Sequence, residues 1–333
     1  MLDHLSNQSS EVNPAIFQNL GKKTKCGFIA IAGLPNAGKS TLLNALVGQK
    51  VAGVSQKPQT TRNKITGICM HNDVQMLFLD TPGLHRTDKF GQLNAAMQTE
   101  AWQGIADAEV VLYLIDVRRG ITEDDCNFLA EICKRTQAPL WLIGSKNDMI
   151  AAEIRTDKCD AFLLAAGELA RHEEFDHGAR VNRIVTMTSR SPKDVERLKR
   201  NMAEMMPEGP WLYDPEQTTD RSARFVACEM IREQAFRLMN QEIPYGLTVV
   251  IHKLEVGATL TKIMADIVVT KETHKSMVIG AKGAQIKQIG SNARPNIEKL
   301  FGTKVFLQLN VKVQSGWEEN MQAIADLAEI TLQ

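Results

Sequence analysis

The segment Gly33–Ser40, with the sequence Gly-Leu-Pro-Asn-Ala-Gly-Lys-Ser, constrains the fold more than any other feature of this chain. It fits the pattern Gly-x-x-x-x-Gly-Lys-Ser/Thr, in which glycines let backbone N–H groups face phosphate oxygens. The apolar run Phe28–Ala32 before it predicts a buried strand, and the stretch Thr41–Val47 after it predicts a helix ended by Gly48. A helix N-terminus adds partial positive charge at the same place. The segment therefore predicts a phosphate-binding loop within an α/β domain.

Side chains in and after this loop have predicted roles toward phosphates and Mg²⁺. Lys39 reaches the β and γ phosphates, and Ser40 offers its hydroxyl to Mg²⁺. Asp80 follows a predicted strand and can support the Mg²⁺ shell, while the N–H of Gly83 can meet the γ phosphate. The segment Gln59–Arg62 can bring a threonine hydroxyl to Mg²⁺ only when a γ phosphate is present, which predicts a switch. The predicted Mg²⁺ ligands are Ser40, Thr60, Thr61 and Asp80.

Polar residues after a later predicted strand indicate which base is bound. The carboxylate of Asp148 can accept hydrogen bonds from the two adjacent N–H donors on the Watson–Crick edge of guanine. The stem of Lys146 can lie flat against the base. Adenine lacks that pair of donors, so the motif predicts guanine over adenine. A P-loop enzyme acting on ATP is the alternative, and Asp148 argues against it.

Apolar runs alternate with helical stretches from residue 26 to 206, which is typical of βαβ units on a mostly parallel sheet with helices on both faces. Further strands are predicted at Val74–Leu79, Val110–Ile115, Pro139–Ile143 and Arg183–Met187. Three prolines between residues 207 and 220 break this pattern and predict a linker. The predicted units are a flexible N-terminal tail at 1–24, a nucleotide-binding domain at 25–206, the linker at 207–220 and a second domain at 221–333.

The second domain has the composition of a nucleic-acid-binding unit. A helix is predicted at 222–240, and strands are predicted at 247–255, 262–271 and 304–313. The loop Gly280–Gly283, Gly-Ala-Lys-Gly, separates two predicted helices before the last strand. Residues 271–312 contain eight basic and two acidic residues, and the two glycines allow a close approach to phosphates. The loop predicts a clamp for single-stranded nucleic acid; the alternative is a helix-turn-helix packing element with solvated lysines.

The overall composition limits other functions. The 39 basic and 39 acidic residues balance, so a polyanion partner must be held by a local patch. The six cysteines form no Cys-x-x-Cys pair, and neither the Cys126–Cys133 spacing nor the polar run His172–His177 favours a metal site. No apolar stretch is long enough to cross a bilayer, and neither a signal peptide nor a transit peptide is recognisable. We therefore expect a cytosolic protein.

Together these motifs resemble the Era family of bacterial ribosome-assembly GTPases. The resemblance covers residues 26–330 and extends to the phrases Glu242–Tyr245 and Val311–Val313 near Trp317. It implies an α/β P-loop GTPase domain followed by an α+β KH-type domain of type II. The residues implied to bind GTP or GDP with Mg²⁺ are Gly33, Leu34, Pro35, Asn36, Ala37, Gly38, Lys39, Ser40, Thr41, Asp80, Gly83, Ser145, Lys146, Asp148, Thr188 and Ser189. Those implied to contact RNA are Lys275, Ile279, Gly280, Ala281, Lys282, Gly283, Ile286 and Lys287.

Two sites depart from the family pattern, and Leu84 differs from many small GTPases. Ser145 stands where the family has asparagine and can keep only part of that side chain's bonds to guanine and to the phosphate-binding loop. Thr188-Ser189 stands where the base-contacting loop is usually Ser-Ala. Leu84 stands where many small GTPases place a water-orienting glutamine, so we expect slow intrinsic hydrolysis. The candidate catalytic residues are Asn36, Thr61 and Gly83.

The resemblance also implies a function and its partners. It implies a GTP-hydrolysing switch that binds the 3′ region of small-subunit (16S) ribosomal RNA and assists assembly of the 30S subunit. The alternative is a nucleotide-sensing RNA-binding module with little hydrolysis of its own. For Asn36 the resemblance implies a K⁺ ion held against the phosphates, and the alternative is a plain turn residue. We expect a cytoplasmic monomer, with peripheral association with the inner membrane as a further alternative.

Overall fold

A computed structural model defines the fold for residues 23–54, 65–80, 99, 101–171, 181–239 and 246–317. These residues form a six-stranded sheet, followed along the chain by a three-stranded sheet. The predicted tail at 1–24 lies almost entirely outside the described residues. Each sheet belongs to one of the two predicted domains.

The six-stranded sheet has the order β2-β3-β1-β4-β5-β6. Its strands are β1 (Lys25–Ala32), β2 (Ile65–His71), β3 (Val74–Asp80), β4 (Val110–Asp116), β5 (Leu140–Ser145) and β6 (Val181–Thr186). Neighbouring strands are parallel except β2 and β3, which are antiparallel. The central strands are almost entirely buried, as expected for a parallel sheet that is covered on both faces.

Helices cover both faces of this sheet. They include α1 (Lys39–Val47), α2 (Glu123–Arg135), α3 (Ala152–Ala170) and α4 (Pro192–Met205). α1 and α4 contribute to one core, while α2 and α3 contribute to a second core on the other face. In α4, Ser191 caps the N-terminus, Pro192 takes the first turn, and Val195, Leu198 and Met202 form the buried face. The predicted α/β architecture is confirmed.

β2 is absent from the strands predicted above, and Gly67 explains why. A glycine within Ile65–His71 weakens the strand pattern. A Cβ added to Gly67 would lie 2.5 Å from Leu43 Cδ1 and 2.7 Å from Val47 Cγ2. Gly67 therefore allows α1 to pack closely on the sheet, and this tertiary contact is invisible in the local sequence.

Residues 207–220, predicted as a linker, pack against the first domain. The buried Gln75 of β3 accepts at Oε1 from the N–H groups of Leu212 (2.8 Å) and Tyr213 (3.0 Å), and its Nε2 donates to the carbonyl oxygen of Tyr213 (2.8 Å). The N–H of Ile68 donates to the carbonyl oxygen of Thr218 at 2.9 Å, at the edge of β2. The segment is thus fixed along β2 and β3. The domain boundaries given above stay predictions.

The second domain has an α-β-β-α-α-β order. Its elements are α5 (Ala223–Leu238), β7 (Thr248–Glu255), β8 (Leu260–Val269), α6 (Glu272–Ile279), α7 (Ala284–Phe301) and β9 (Lys304–Val313). β8 pairs antiparallel with β7 and parallel with β9. β8 lies two residues earlier than the strand predicted at 262–271, because Lys271 already serves as the N-cap of α6. The α+β fold expected of a KH-type domain is confirmed.

The described residues also bear on the membrane and metal expectations. Among them, no helix combines the length and the apolar composition that crossing a bilayer requires. All six cysteines are free thiols. In the same residues no group of three or more His, Cys, Asp or Glu side chains is placed to hold a metal ion, and His172–His177 lies outside them.

Candidate nucleotide site and nucleic-acid interface

The loop between β1 and α1 has three residues with left-handed backbone conformations. The φ angles are 139° at Gly33, 64° at Asn36 and 106° at Gly38. A Cβ added to Gly33 would lie 2.5 Å from the carbonyl oxygen of Leu114 in β4, so a side chain is excluded there. Gly38 is the N-cap of α1. The loop therefore curls around a helix N-terminus, an arrangement that presents N–H groups to an anion.

Lys39 is buried beneath this loop. Its Nζ donates to the carbonyl oxygens of Gly33 at 2.9 Å and of Leu34 at 3.1 Å. Burial lowers the pKa of Lys39 to about 8, although the nearby carboxylate of Asp80 raises it. The ammonium group is therefore held inside the loop by neutral carbonyls, and phosphate oxygens would be much stronger partners for it.

Ser40 and Asp80 bring two oxygen ligands together beside the loop. Ser40 lies in the first turn of α1, and Asp80 is the fully buried last residue of β3. The Ser40 hydroxyl donates to Asp80 Oδ2 at 2.7 Å. Mg²⁺ prefers hard oxygen ligands and is commonly held by one or two protein groups together with substrate phosphates. The pair therefore fits a Mg²⁺ ion that bridges the protein to bound phosphates.

Ser145 connects the base-binding side of the site to the phosphate-binding loop. It is buried at the end of β5, with Oγ 2.6 Å from the carbonyl oxygen of Ala37 and 3.1 Å from that of Ile115. A hydroxyl has one proton, so it donates to one of these carbonyls at a time. Ser145 thus keeps the contact to the phosphate-binding loop and has no donor left for a guanine ring.

Lys146 bridges the same two regions through its ammonium group. Its Nζ donates to the carbonyl oxygen of Asn36 and lies 3.1 Å from Asp116 Oδ2. Burial raises the pKa of Asp116, but hydrogen bonds from Arg118 and Lys146 outweigh it and lower that pKa to about 2. The ionised Asp116 therefore holds the lysine stem across the loop, where its flat side can face a base.

The carboxylate of Asp148 is oriented from the segment after β6. Thr188 Oγ1 donates to Asp148 Oδ1 at 2.6 Å, and Arg190 Nη1 lies 3.1 Å from Oδ2. The N–H of Thr188 donates in turn to Asp194 Oδ2 at 3.2 Å, which anchors the segment to α4. The geometry brings Thr188 and Asp148 together, and their roles in reading the base stay predictions. Ser189 follows Thr188 in the same segment.

The loop Gly280–Gly283 joins α6 to α7, and three of its residues have positive φ angles. The φ angles are 70° at Gly280, 50° at Lys282 and 78° at Gly283. A Cβ added to Gly280 would lie 2.6 Å from Gln285 Cβ, so a side chain there would displace the start of α7. A Cβ added to Gly283 would meet nothing within 4 Å. The backbone at Gly283 is therefore open to close approach from outside the protein.

The apolar and basic residues near this loop differ in burial. Ile279 and Ile286 are partly buried and pack against the core of the domain. Lys282 and Lys287 are exposed beside the exposed Ala281. Lys275 is 37% exposed and lies 3.9 Å from Glu272, so that pairing is weak. The loop thus presents positive charge and accessible backbone on one surface, as a phosphate clamp requires.

Known protein families match the regions of the chain that contain the two sites. A family model for 50S ribosome-binding GTPases matches residues 28–146, and a KH domain model matches residues 242–318. GTPase Era of Trichlorobacter lovleyi is 38% identical over 304 residues, which cover 91% of this chain and 97% of that protein. GTPase Era of Coxiella burnetii, strain Dugway 5J108-111, is 38% identical over 307 residues, covering 92% and 98%. The chain belongs to the Era family of GTPases.

Solved Era structures have the same architecture. A crystal structure of Era in complex with MgGDPNP and nucleotides 1506–1542 of 16S ribosomal RNA gives a TM-score of 0.82 at 30% identity, covering 92% of this chain and 100% of that one. A variant of Aquifex aeolicus Era bound to GDP·AlF4⁻ gives 0.80 at 30% identity with the same coverage. This member of the Era family is therefore a GTPase with a KH domain.

Three residues near the Era nucleotide site were not predicted from the sequence. Asp116 ends β4, and Arg118 lies 2.6 Å from it through Nη2. The available signal was an acidic residue at the carboxyl end of a parallel strand, because strand ends at that edge meet in the same crevice. Arg190, which contacts Asp148, had no comparable signal because its position depends on the turn after β6.

Several residues predicted for the Era nucleotide site lie outside the described residues. They are Thr60 and Thr61 in the segment Gln59–Arg62, and Gly83 with Leu84. Their roles as switch, Mg²⁺ and catalytic residues stay predictions. The same holds for the individual roles assigned to the described site residues.

Proposed function

We propose that this protein is a GTP-hydrolysing switch whose KH domain binds the 3′ region of small-subunit ribosomal RNA and which assists assembly of the 30S subunit. The observation that carries the proposal is the common edge of the six-stranded sheet. The phosphate-binding loop follows β1, Asp80 ends β3 and Ser145 ends β5. These three strands are parallel, so their carboxyl ends lie at the same edge of the sheet. This arrangement supports a single crevice that binds phosphate, Mg²⁺ and base.

The reaction converts GTP and water to GDP and phosphate. The N–H groups of the loop and the ammonium of Lys39 bind the β and γ phosphates, and Ser40 with Asp80 would hold Mg²⁺. When bound, Mg²⁺ neutralises charge that develops on the phosphate oxygens. The protein's main contribution is to position these groups. Leu84 has no hydrogen-bonding group with which to orient the attacking water, which supports slow intrinsic hydrolysis.

Guanine selection is tested by Asp148→Ala. The variant should lose most of its preference for GTP over ATP, because a site built to pair with hydrogen-bond donors discriminates by up to about 10⁴-fold against a ligand that lacks them. Competition binding with the full chain measures the preference. The exposed Asp160 of α3 provides the control Asp160→Ala, which should keep the parent preference. Equal discrimination by Asp148→Ala and the parent would show that another group reads the base.

RNA binding is tested by combining Ala281→Asp with Lys282→Asp in the full chain. Like charge then stands where phosphates must approach, so affinity for a single-stranded RNA with the 3′ sequence of small-subunit ribosomal RNA should fall about tenfold or more. GTP affinity measured without RNA should change less than twofold, because the substituted side chains lie outside the nucleotide site. The matched control combines Lys158→Asp with Ala161→Asp on the exposed surface of α3. Equal RNA affinity for the loop variant and this control would overturn the RNA assignment.

The proposal includes a K⁺ ion held by Asn36. The residue is exposed at the surface of the phosphate-binding loop with a left-handed backbone, so its side chain is accessible to an ion. Hydrolysis should be faster in K⁺ than in Na⁺ at equal ionic strength, and Asn36→Ala should remove the difference. Equal parent rates in both salts would exclude the ion.

We further propose a cytoplasmic monomer, with peripheral association with the inner membrane as an additional location.

The second candidate is an RNA-binding module that senses nucleotide occupancy and barely hydrolyses it. Two residues favour this candidate: Leu84, and Ser145, whose hydroxyl donates to the carbonyl oxygen of Ala37. Multiple-turnover hydrolysis by the full chain, with K⁺ and RNA present, distinguishes the two candidates. Turnover that RNA accelerates supports the switch, while occupancy without turnover supports the sensor.

A further inference from the structure

The C-terminal turn of α5 contacts both functional regions. On one side, Arg237 donates from Nε (3.2 Å) and from Nη2 (2.9 Å) to the carbonyl oxygen of Val54 in the first domain. On the other side, the carbonyl oxygen of Leu238 accepts from Gln285 Nε2 at 3.0 Å. Consecutive residues of α5 therefore hold the segment after α1 and the first turn of α7.

A buried carboxylate reinforces the contact with the first domain. The side chain of Glu233 has no exposed surface, and its Oε2 lies 2.6 Å from Lys50 Nζ. Its Oε1 lies 2.7 Å from Arg237 Nη2, one helical turn along α5. Removing either cation would leave the buried carboxylate only partly neutralised, which is costly. Lys50, Glu233 and Arg237 therefore stay together as a unit.

The segment that these residues hold is also tied to the nucleotide-binding helix. Asn44 of α1 accepts at Oδ1 from the N–H groups of Val51 (2.8 Å) and Ala52 (2.9 Å), and its Nδ2 donates to the carbonyl oxygen of Ala52 (2.9 Å). Asn44 lies one turn beyond Ser40, on the same side of α1. A shift of α1 relative to the phosphates would therefore move residues 51–54.

The other contact leads to the loop Gly280–Gly283. Gln285 lies two residues beyond Gly283, and its Cβ is the atom that a side chain at Gly280 would meet at 2.6 Å. The position of Gln285 thus determines the space available to Gly280. We propose that Arg237 and Gln285 are positioning residues of one joint, through which the nucleotide site and the Gly280–Gly283 loop influence each other. This inference rests on the proposed function for the identity of the two ligands.

The joint makes a prediction that does not depend on RNA. In the full chain, hydrogen exchange of the amides at 280–285 should differ between the GDP-bound form and the form bound to a non-hydrolysable GTP analogue. Arg237→Ala and Gln285→Ala should each abolish that difference, while Arg237→Lys should restore part of it. Arg197→Ala is the matched control, because Arg197 is 55% exposed on α4 and lies 3.1 Å from Asp194 in the same helix. GDP affinity should change less than twofold in all variants.

The same variants measure the coupling between the two ligands. The ratio of RNA affinities in the two nucleotide states should fall toward one in Arg237→Ala and Gln285→Ala, and RNA should lose its effect on GTP affinity by the same factor. If the exchange difference is missing in the parent, or persists in both joint variants, the joint is wrong. If the exchange result holds but the parent binds no RNA, the proposed function fails and the joint stands.

Discussion

Lys39 is buried, and its burial changes the pH at which it ionises and can bind a phosphate. Its pKa of about 8 in the folded chain lies below the ordinary lysine value of 10.5, with burial as the main cause. The unfolded chain therefore binds more protons between these two values, so this residue increases stability as pH rises from about 8 toward 10.5. Bound phosphates favour the charged form and raise the pKa again.

The shift predicts proton uptake when nucleotide binds. At pH 8.5 the full chain should take up a fraction of a proton on binding GDP, and GDP affinity should fall as pH rises above the Lys39 pKa of about 8, by at most about tenfold per pH unit. Isothermal titration calorimetry in two buffers with different ionisation enthalpies measures the uptake. Lys39→Arg keeps its charge throughout and should take up none. Absence of uptake by the parent would contradict the lowered pKa.

Single residues differ in how far their sequence context reveals them. Lys39 and Ser40 could be predicted because a strand, two glycines and a helix fix their places along the chain. Ser145 could be placed at a strand end, but the acceptor of its hydroxyl hydrogen bond could not be predicted. Its Oγ contacts Ala37, which lies 108 residues away in the sequence, and only the folded sheet brings the two together.

Elements were predictable where a local pattern determines them. The buried run in β1 and the capped, amphipathic α4 carry their own signals. β2 does not, because Gly67 is required by α1 and lowers the strand propensity of its own segment. The end of β8 was also predicted two residues too late, because the local pattern does not show that Lys271 is the N-cap of α6.

At the scale of the whole molecule, the sequence predicted two domains but not how they are joined. α5 looks like an ordinary first helix of the second domain, yet residues 225–236 along it are all buried. The proline-rich segment 207–220 looks like a free linker. Its backbone instead bonds to β2 and to Gln75, and such contacts between distant segments leave no periodic pattern in either segment.

The role of Gln75 can be tested by Gln75→Met, which keeps the approximate volume and removes the three hydrogen bonds to Leu212 and Tyr213. Each lost bond contributes about 1 kcal/mol, and unpaired buried groups add to this, so the free energy of unfolding should fall by about 2–5 kcal/mol. Urea unfolding of the full chain measures the change. The variant should also be cleaved faster by protease within 207–220, while GDP affinity stays within twofold.

A matched substitution distinguishes this role from the general effect of losing a glutamine. Among the described residues the exposed Gln103 bonds to the exposed Asp107, at 3.0 Å, so Gln103→Met should change stability by no more than about 0.5 kcal/mol. If both variants unfold at the same urea concentration and are cleaved alike, the contacts of Gln75 do not hold residues 207–220. If only Gln75→Met is weakened, that segment is part of the first domain, and the second domain is attached to the sheet at β2 and β3 as well as through α5.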